Sequence, residues 1–145
     1  MILRALLTVT LLLLQPAQDT IVITYSRGTI DTKSYEAFTF WIRDNKRAYI
    51  RYTLGKDDEI NLIWQGTSLV KGEQAFIAVF PEPDNRSFYI MQNGNGLKVS
   101  DKDGKYLKFY SWENENLVGD SAVPCPICAK DAKEGAELIK KYFLK

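Results

Sequence analysis

The stretch that decides the fold is Ser34–Leu54, which reads SYEAFTFWIRDNKRAYIRYTL. Two runs rich in β-branched and aromatic residues flank a short polar turn, a pattern typical of an antiparallel hairpin. Asp44 and Asn45 tolerate the left-handed backbone conformation that tight hairpin turns need. The first run is apolar on both faces, with Phe40 on one and Trp41 on the other. Such a strand is expected to be covered on both sides, so later strands should wrap around it.

The same kind of pattern continues along most of the chain. Short strand-like runs separated by Gly, Asn and Asp turns extend over residues 20–112. They predict a mainly β protein, an antiparallel meander of about eight strands that forms a barrel or a curved sandwich. Residues 66–72, between two glycines, are predicted to be a loop. No repeat or linker divides residues 19–145, so we predict one domain there.

The carboxyl-terminal segment has a different periodicity. Ala132, Ala136, Ile139 and Phe143 recur at the spacing of one helical face. A helix of this length is not stable alone, so its apolar stripe should cover the sheet.

The amino-terminal segment has the plan of a secretory signal peptide. Arg4 precedes the apolar run ALLTVTLLLL, and this run is followed by Pro16 and the small residue Ala17. The run is shorter than the roughly 20 residues that span a bilayer. We therefore expect residues 1–18 to be removed and the protein to be secreted or periplasmic, without a stable membrane anchor.

Composition excludes several classes of function. The chain has no His, which rules out His general bases, Ser-His triads and His metal sites. Lys and Arg number 19 and Asp and Glu 18, and the predicted leader contains only Arg4, which leaves 18 of each sign. A neutral protein lacks the electrostatic footprint of a nucleic-acid binder.

The segment Asp101–Gly104, DKDG, lacks the later ligands of a calcium loop and is predicted to be a hairpin turn. We expect no metal and no cofactor.

The two cysteines form the motif Cys125-Pro-Ile-Cys128. Pro126 is suited to the first position of a helix, which would make Cys125 the N-cap and place Cys128 in the first turn, where a thiolate is stabilised. The spacing resembles the active site of thioredoxin-like oxidoreductases, which implies a redox pair with Cys125 as nucleophile and Cys128 as resolving thiol. A structural disulfide between the same residues is favoured, because export predicts an oxidising compartment.

Two functions are therefore left open. A meander of about eight strands followed by a helix resembles the calycin or lipocalin arrangement, whose barrels hold one small ligand. The Gly-x-Trp signature of lipocalins is absent, since Thr39, Leu62 and Tyr110 stand two residues before the tryptophans. The favoured function is a non-enzymatic module that binds a small apolar ligand or a protein partner. The alternative is a thiol–disulfide redox protein. Three residues are candidates for the lining of a ligand cavity: Phe40, Trp64 and Phe76.

Overall fold

The computed structural model describes residues 20–43, 47–113 and 127–144. In this part of the chain eight strands form a closed antiparallel barrel, in which each strand pairs with the next and the last pairs with the first. One helix, α1, follows them. The elements are β1 Thr20–Arg27, β2 Glu36–Arg43, β3 Arg47–Leu54, β4 Asp58–Val70, β5 Glu73–Val79, β6 Ser87–Asn93, β7 Gly96–Ser100, β8 Lys108–Glu113 and α1 Ala132–Phe143.

The predicted meander with a carboxyl-terminal helix is confirmed, and of the two architectures left open the barrel is the one that forms. The hairpin of β2 and β3 aligns Phe40 with Ile50 and Phe38 with Tyr52. These four side chains are buried, as the alternation in the sequence requires. The predicted signal peptide and the turn at residues 44–46 lie outside the described residues.

The predicted loop at residues 66–72 is wrong, because β4 continues to Val70. The pairing of β4 with β5 shifts register between Trp64 and Thr67, and Gly66 has a φ of 89°. This glycine therefore marks a bulge within a strand. The connection to β5 is the turn at Lys71 and Gly72, both with positive φ, as tight hairpin turns require.

Helix α1 closes one end of the barrel, called the helix end below. Asp131 is the N-cap and accepts a hydrogen bond from the backbone N–H of Glu134 at 2.8 Å. The ring of Phe143, at the other end of the helix, lies 5.1 Å from that of Phe40 and 5.2 Å from that of Phe76, measured between centroids. The helix thus fills this end with an aromatic side chain.

The rest of the barrel interior is also packed with rings. Phe38 lies 5.0 Å from Tyr110, 5.1 Å from Tyr52 and 5.2 Å from Phe88 between ring centroids. Rings at these distances and angles fill space efficiently and attract one another through their quadrupoles. A dense core therefore separates the two ends of the barrel.

Candidate functional site

The candidate site lies at the barrel end opposite the helix. Here β1, β3, β5 and β7 end and β2, β4, β6 and β8 begin. Glu36 is the first residue of β2 and pairs with Arg27 of β1 and Leu54 of β3. It shares the inward face of β2 with Phe38 and Phe40, so its carboxylate points into the barrel mouth. We call this the Glu36 end.

The carboxylate of Glu36 is held by three donors although the residue is only 4% exposed. Oε1 accepts hydrogen bonds from Nη1 of Arg27 at 3.1 Å and from Nζ of Lys108 at 3.3 Å. Oε2 accepts a short hydrogen bond from the Tyr52 hydroxyl, at 2.5 Å. A buried charge with two cations and a hydroxyl around it is compensated, which is the condition for keeping it in an apolar core.

These partners keep Glu36 ionised. Burial raises the pKa of its carboxyl group, but the hydroxyls of Tyr52 and Tyr110, the Arg27 guanidinium and the charge of Lys108 together outweigh it and lower the pKa below its ordinary value. Burial is also the largest cause that raises the pKa of Tyr110, followed by the neighbouring charge of Glu36. Burial and the hydrogen bond to Glu36 raise the pKa of Tyr52 as well, so both tyrosines are neutral hydroxyls at physiological pH.

Tyr110 faces Glu36 without completing a hydrogen bond of normal geometry. The residue is 2% exposed, and its hydroxyl has no hydrogen-bond partner among the described residues. A buried polar group without a partner is costly and calls for an explanation in a native protein. A hydroxyl beside Glu36 with no completed hydrogen bond can form one with an incoming molecule.

A pocket of about 510 Å³ opens above this network. Its volume is in the range of small-molecule sites, roughly 300–1,000 Å³. Val99, Lys108 and Tyr110 belong to inward-facing positions of β7 and β8, since Val99 pairs with Lys108 and Leu97 with Tyr110. The lining combines apolar walls with charged groups: Phe88, Val99, Tyr106 and Tyr110 with Glu36, Arg86, Asp101, Lys102, Asp103 and Lys108.

Tyr106, at the rim of the pocket, has an unusual conformation. Its φ is 60°, a region that non-glycine residues seldom occupy, and it is 83% exposed. Such a conformation costs of order 1–3 kcal/mol and tends to occur at functional sites. An aromatic ring held in solvent beside a pocket fits contact with a ligand better than a contribution to folding.

The loop that carries this ring is a fixed turn. Oδ1 of Asp101 accepts hydrogen bonds from the backbone N–H groups of Asp103 and Lys105, both at 2.8 Å. The hairpin turn predicted for Asp101–Gly104 is therefore confirmed.

Among the described residues no group of three or more Cys, His, Asp or Glu could hold a metal ion.

Sequence reasoning missed Glu36, Lys108 and Tyr110 as a site. A signal existed for Glu36, because the period of two in β2 places this carboxylate on the same face as Phe38 and Phe40. A charge on an otherwise apolar strand face indicates a buried, compensated group. Its partners could not be named, because Lys108 is 72 residues away and meets it only when the barrel closes.

The predicted cavity residues lie at the other end. Phe40 and Phe76 are fully buried against Phe143, and Trp64 is 39% exposed, with its ring 6.0 Å from that of Phe143. The structure thus brings the three together around the helix, and none of them lines the pocket at the Glu36 end. Their role in ligand binding stays a prediction.

The helix does not begin at the cysteine motif, so the predicted N-cap at Cys125 is wrong. Asp131 is the N-cap, and Cys128 lies before the helix in a parallel β-bridge with Val22. The N–H of Val22 donates to the carbonyl of Ile127 at 2.7 Å, and the N–H of Ala129 donates to the carbonyl of Val22 at 2.9 Å. Pairing with β1 therefore holds Cys128 outside the first turn. Cys125 lies outside the described residues, so its disulfide with Cys128 stays a prediction.

Comparison of the chain with protein-family models, curated proteins and solved structures found no match. No helix in the three described ranges has both the length and the apolar character needed to cross a bilayer.

Proposed function

We propose that this protein is an exported, non-enzymatic module that binds a small, mainly apolar molecule in the pocket at the Glu36 end. The observation that carries the proposal is the pocket of about 510 Å³ whose lining contains the buried Tyr110 hydroxyl, which completes no hydrogen bond of normal geometry with the described residues. Apolar walls with a few convergent polar groups are the usual composition of a ligand site.

Two further features support the proposal. The network around Glu36 fixes the polar floor before any ligand arrives, so binding does not require these side chains to be ordered. The packed aromatic core under the floor and the helix at the far end favour ligand exchange through the Glu36 end. Export rests on the leader at residues 1–18.

A titration with N-phenyl-1-naphthylamine, a neutral apolar fluorophore, tests the proposal. We expect a saturable rise in its fluorescence at one site per chain, with a dissociation constant on the order of micromolar. The variant Val99→Phe places a ring in the pocket and should weaken binding at least about tenfold, since the ring occupies the space of the probe. Ser87→Phe, at the less buried part of the lining, is a second pocket-filling variant in case the first does not fold.

Ile63→Phe is the matched control, because Ile63 is exposed outside the pocket and the change adds similar bulk. Circular dichroism verifies that each variant is folded. Absence of saturable binding by the wild-type protein would overturn the proposed function. Binding that neither pocket-filling variant weakens would overturn the assignment to this pocket.

A further inference from the structure

We infer that the ligand of this pocket is an amphipathic organic anion: an apolar body that carries a single oxyanion, such as a carboxylate. The inference rests on the proposed function and adds the chemical class of the ligand. It follows from the hydrogen-bond donors and acceptors in the lining, because a ligand must satisfy the groups that the protein leaves open.

The buried carboxylate in the lining, that of Glu36, is already engaged. Both oxygens of Glu36 accept hydrogen bonds from the protein, and Oδ1 of Asp101 accepts two from the backbone. Oδ2 of Asp101 and the carboxylate of Asp103 stay open, since neither residue has an ion pair among the described residues. A cationic ligand would therefore find its open partners on the turn at the pocket rim and none on the pocket floor.

Three groups in the lining can donate a hydrogen bond to a ligand. Lys102 has no ion pair with any described residue. The side chain of Lys108 is 46% exposed and uses one contact, to Glu36, so its ammonium group keeps two N–H groups for a ligand. The Tyr110 hydroxyl is a third group that can donate to a ligand, and it is more deeply buried than the two lysines.

Arg86 contributes positive charge in a fixed position. Its guanidinium lies 4.1 Å above the centre of the Phe80 ring and pairs with Asp84 through Nη2 at 3.0 Å. The opposing charge of Asp84 offsets most of its attraction for an anion, so the two lysines are the main anchors. A ligand with its oxyanion at Lys102 and Lys108 can lay its apolar body against Phe88 and Val99.

Displacement of bound N-phenyl-1-naphthylamine by decanoate and by 1-decanol tests the charge of the ligand. The two competitors share a ten-carbon chain and differ in the head group, and decanoate is ionised at pH 7.5. We expect decanoate to displace the probe at a concentration at least about fivefold lower than decanol, because only the anion gains the charged contacts. Transfer from water alone favours decanol, so a preference for decanoate requires cations in the site.

Lys102→Gln identifies the anchor. This variant should weaken decanoate about three- to tenfold and leave decanol unchanged, since it removes a charge from an exposed side chain. Lys105→Gln is the matched control: the residue lies in the same turn but outside the lining, and decanoate binding should not change. Asp103→Asn should strengthen decanoate binding about twofold, because it removes the open negative charge.

The outcomes separate the two proposals. Equal or better displacement by decanol overturns the inferred class while binding of the neutral probe still supports the proposed function. Equal weakening of both competitors by Lys102→Gln overturns its role as the anion anchor. If the neutral probe does not bind at all, the proposed function itself fails.

Discussion

Nζ of Lys108 lies 3.3 Å from Oε1 of Glu36, although 72 residues separate them in the chain. Lys108 opens β8 and Glu36 opens β2, with β1 between these strands in the closed barrel. Arg27, at the end of β1, reaches the same oxygen. The contact therefore ties the last strand of the barrel to the first two at the mouth of the pocket, and it fixes the charge on the pocket floor.

Glu36→Gln should lower the free energy of unfolding by about 1–3 kcal/mol at pH 7, because the cations lose the charge that compensates them. The pKa of Glu36 is lowered in the folded state, so this contribution is complete above the unfolded-state pKa, roughly 4.3. It is lost as the pH falls through the lower folded-state value. The difference between wild type and variant should therefore stay constant from about pH 5.5 to 8 and shrink below about pH 4.

Urea unfolding at pH 7, 5 and 3 measures this difference. Glu59→Gln is the control, since Glu59 is an exposed partner of Arg51 at 3.6 Å and should change the free energy of unfolding by less than about 0.5 kcal/mol. An effect of Glu36→Gln that is equally large at pH 3 and pH 7 would contradict the ionic role of this residue.

Phe143→Ala should cost about 3–5 kcal/mol of stability, because it removes a fully buried ring that contacts Phe40, Phe76 and Trp64. Tryptophan fluorescence should shift to longer wavelength as more of the Trp64 ring is exposed to water. Phe143→Leu, which keeps part of the volume, should cost less. Lys140→Ala, on the exposed side of the same helix, should change stability little; a similar loss there would show that the cost is not specific to the buried ring.

Gly135→Ala should destabilise the protein although alanine favours helices by about 1 kcal/mol. The added Cβ would lie 3.1 Å from the Tyr25 hydroxyl and 3.2 Å from Cγ2 of Ile23, and both side chains are fully buried. The Tyr25 hydroxyl has no hydrogen-bond partner among the described residues, so Tyr25→Phe should be neutral or stabilising.

A double-mutant cycle tests this close approach by thermal unfolding. The cost of Gly135→Ala should be smaller in the Tyr25→Phe background, where one of the two contacts is absent. Equal costs in both backgrounds would show that the hydroxyl does not limit the packing of the helix.

The pair Cys125 and Cys128 should have a reduction potential below about −300 mV, the range of structural disulfides. The reason is the position of Cys128, which lies in a β-bridge with Val22 and not in the first turn of α1. Equilibration with dithiothreitol measures the potential. A value near −120 to −200 mV, with rapid alkylation at low pH, would revive the redox hypothesis.

Local patterns were enough to predict most strands and the helix. The apolar residues that alternate along β2 and β3, and those at helical spacing such as Ile139 and Phe143, are the ones buried in the structure. Gly66 was misread, since a glycine in a bulge and one in a loop have the same local signal. The helix start was misplaced because Pro126 is a plausible first residue. The spacing of Asp131 and Glu134 was the better signal, and Asp131 caps the helix in the structure. The pocket could not be predicted, because it depends on which strands meet when the barrel closes.

The parallel bridge of Cys128 with Val22 also bears on solubility. β8 pairs with β1 at Thr24, Tyr25 and Ser26, whereas on that side Val22 donates its N–H to the carbonyl of Ile127 and accepts a hydrogen bond from the N–H of Ala129. Without this segment, the start of β1 would present open backbone groups, the template on which strands of other molecules add. The short stretch before α1 therefore covers this edge of β1. Variants that loosen it should form aggregates before they lose the barrel.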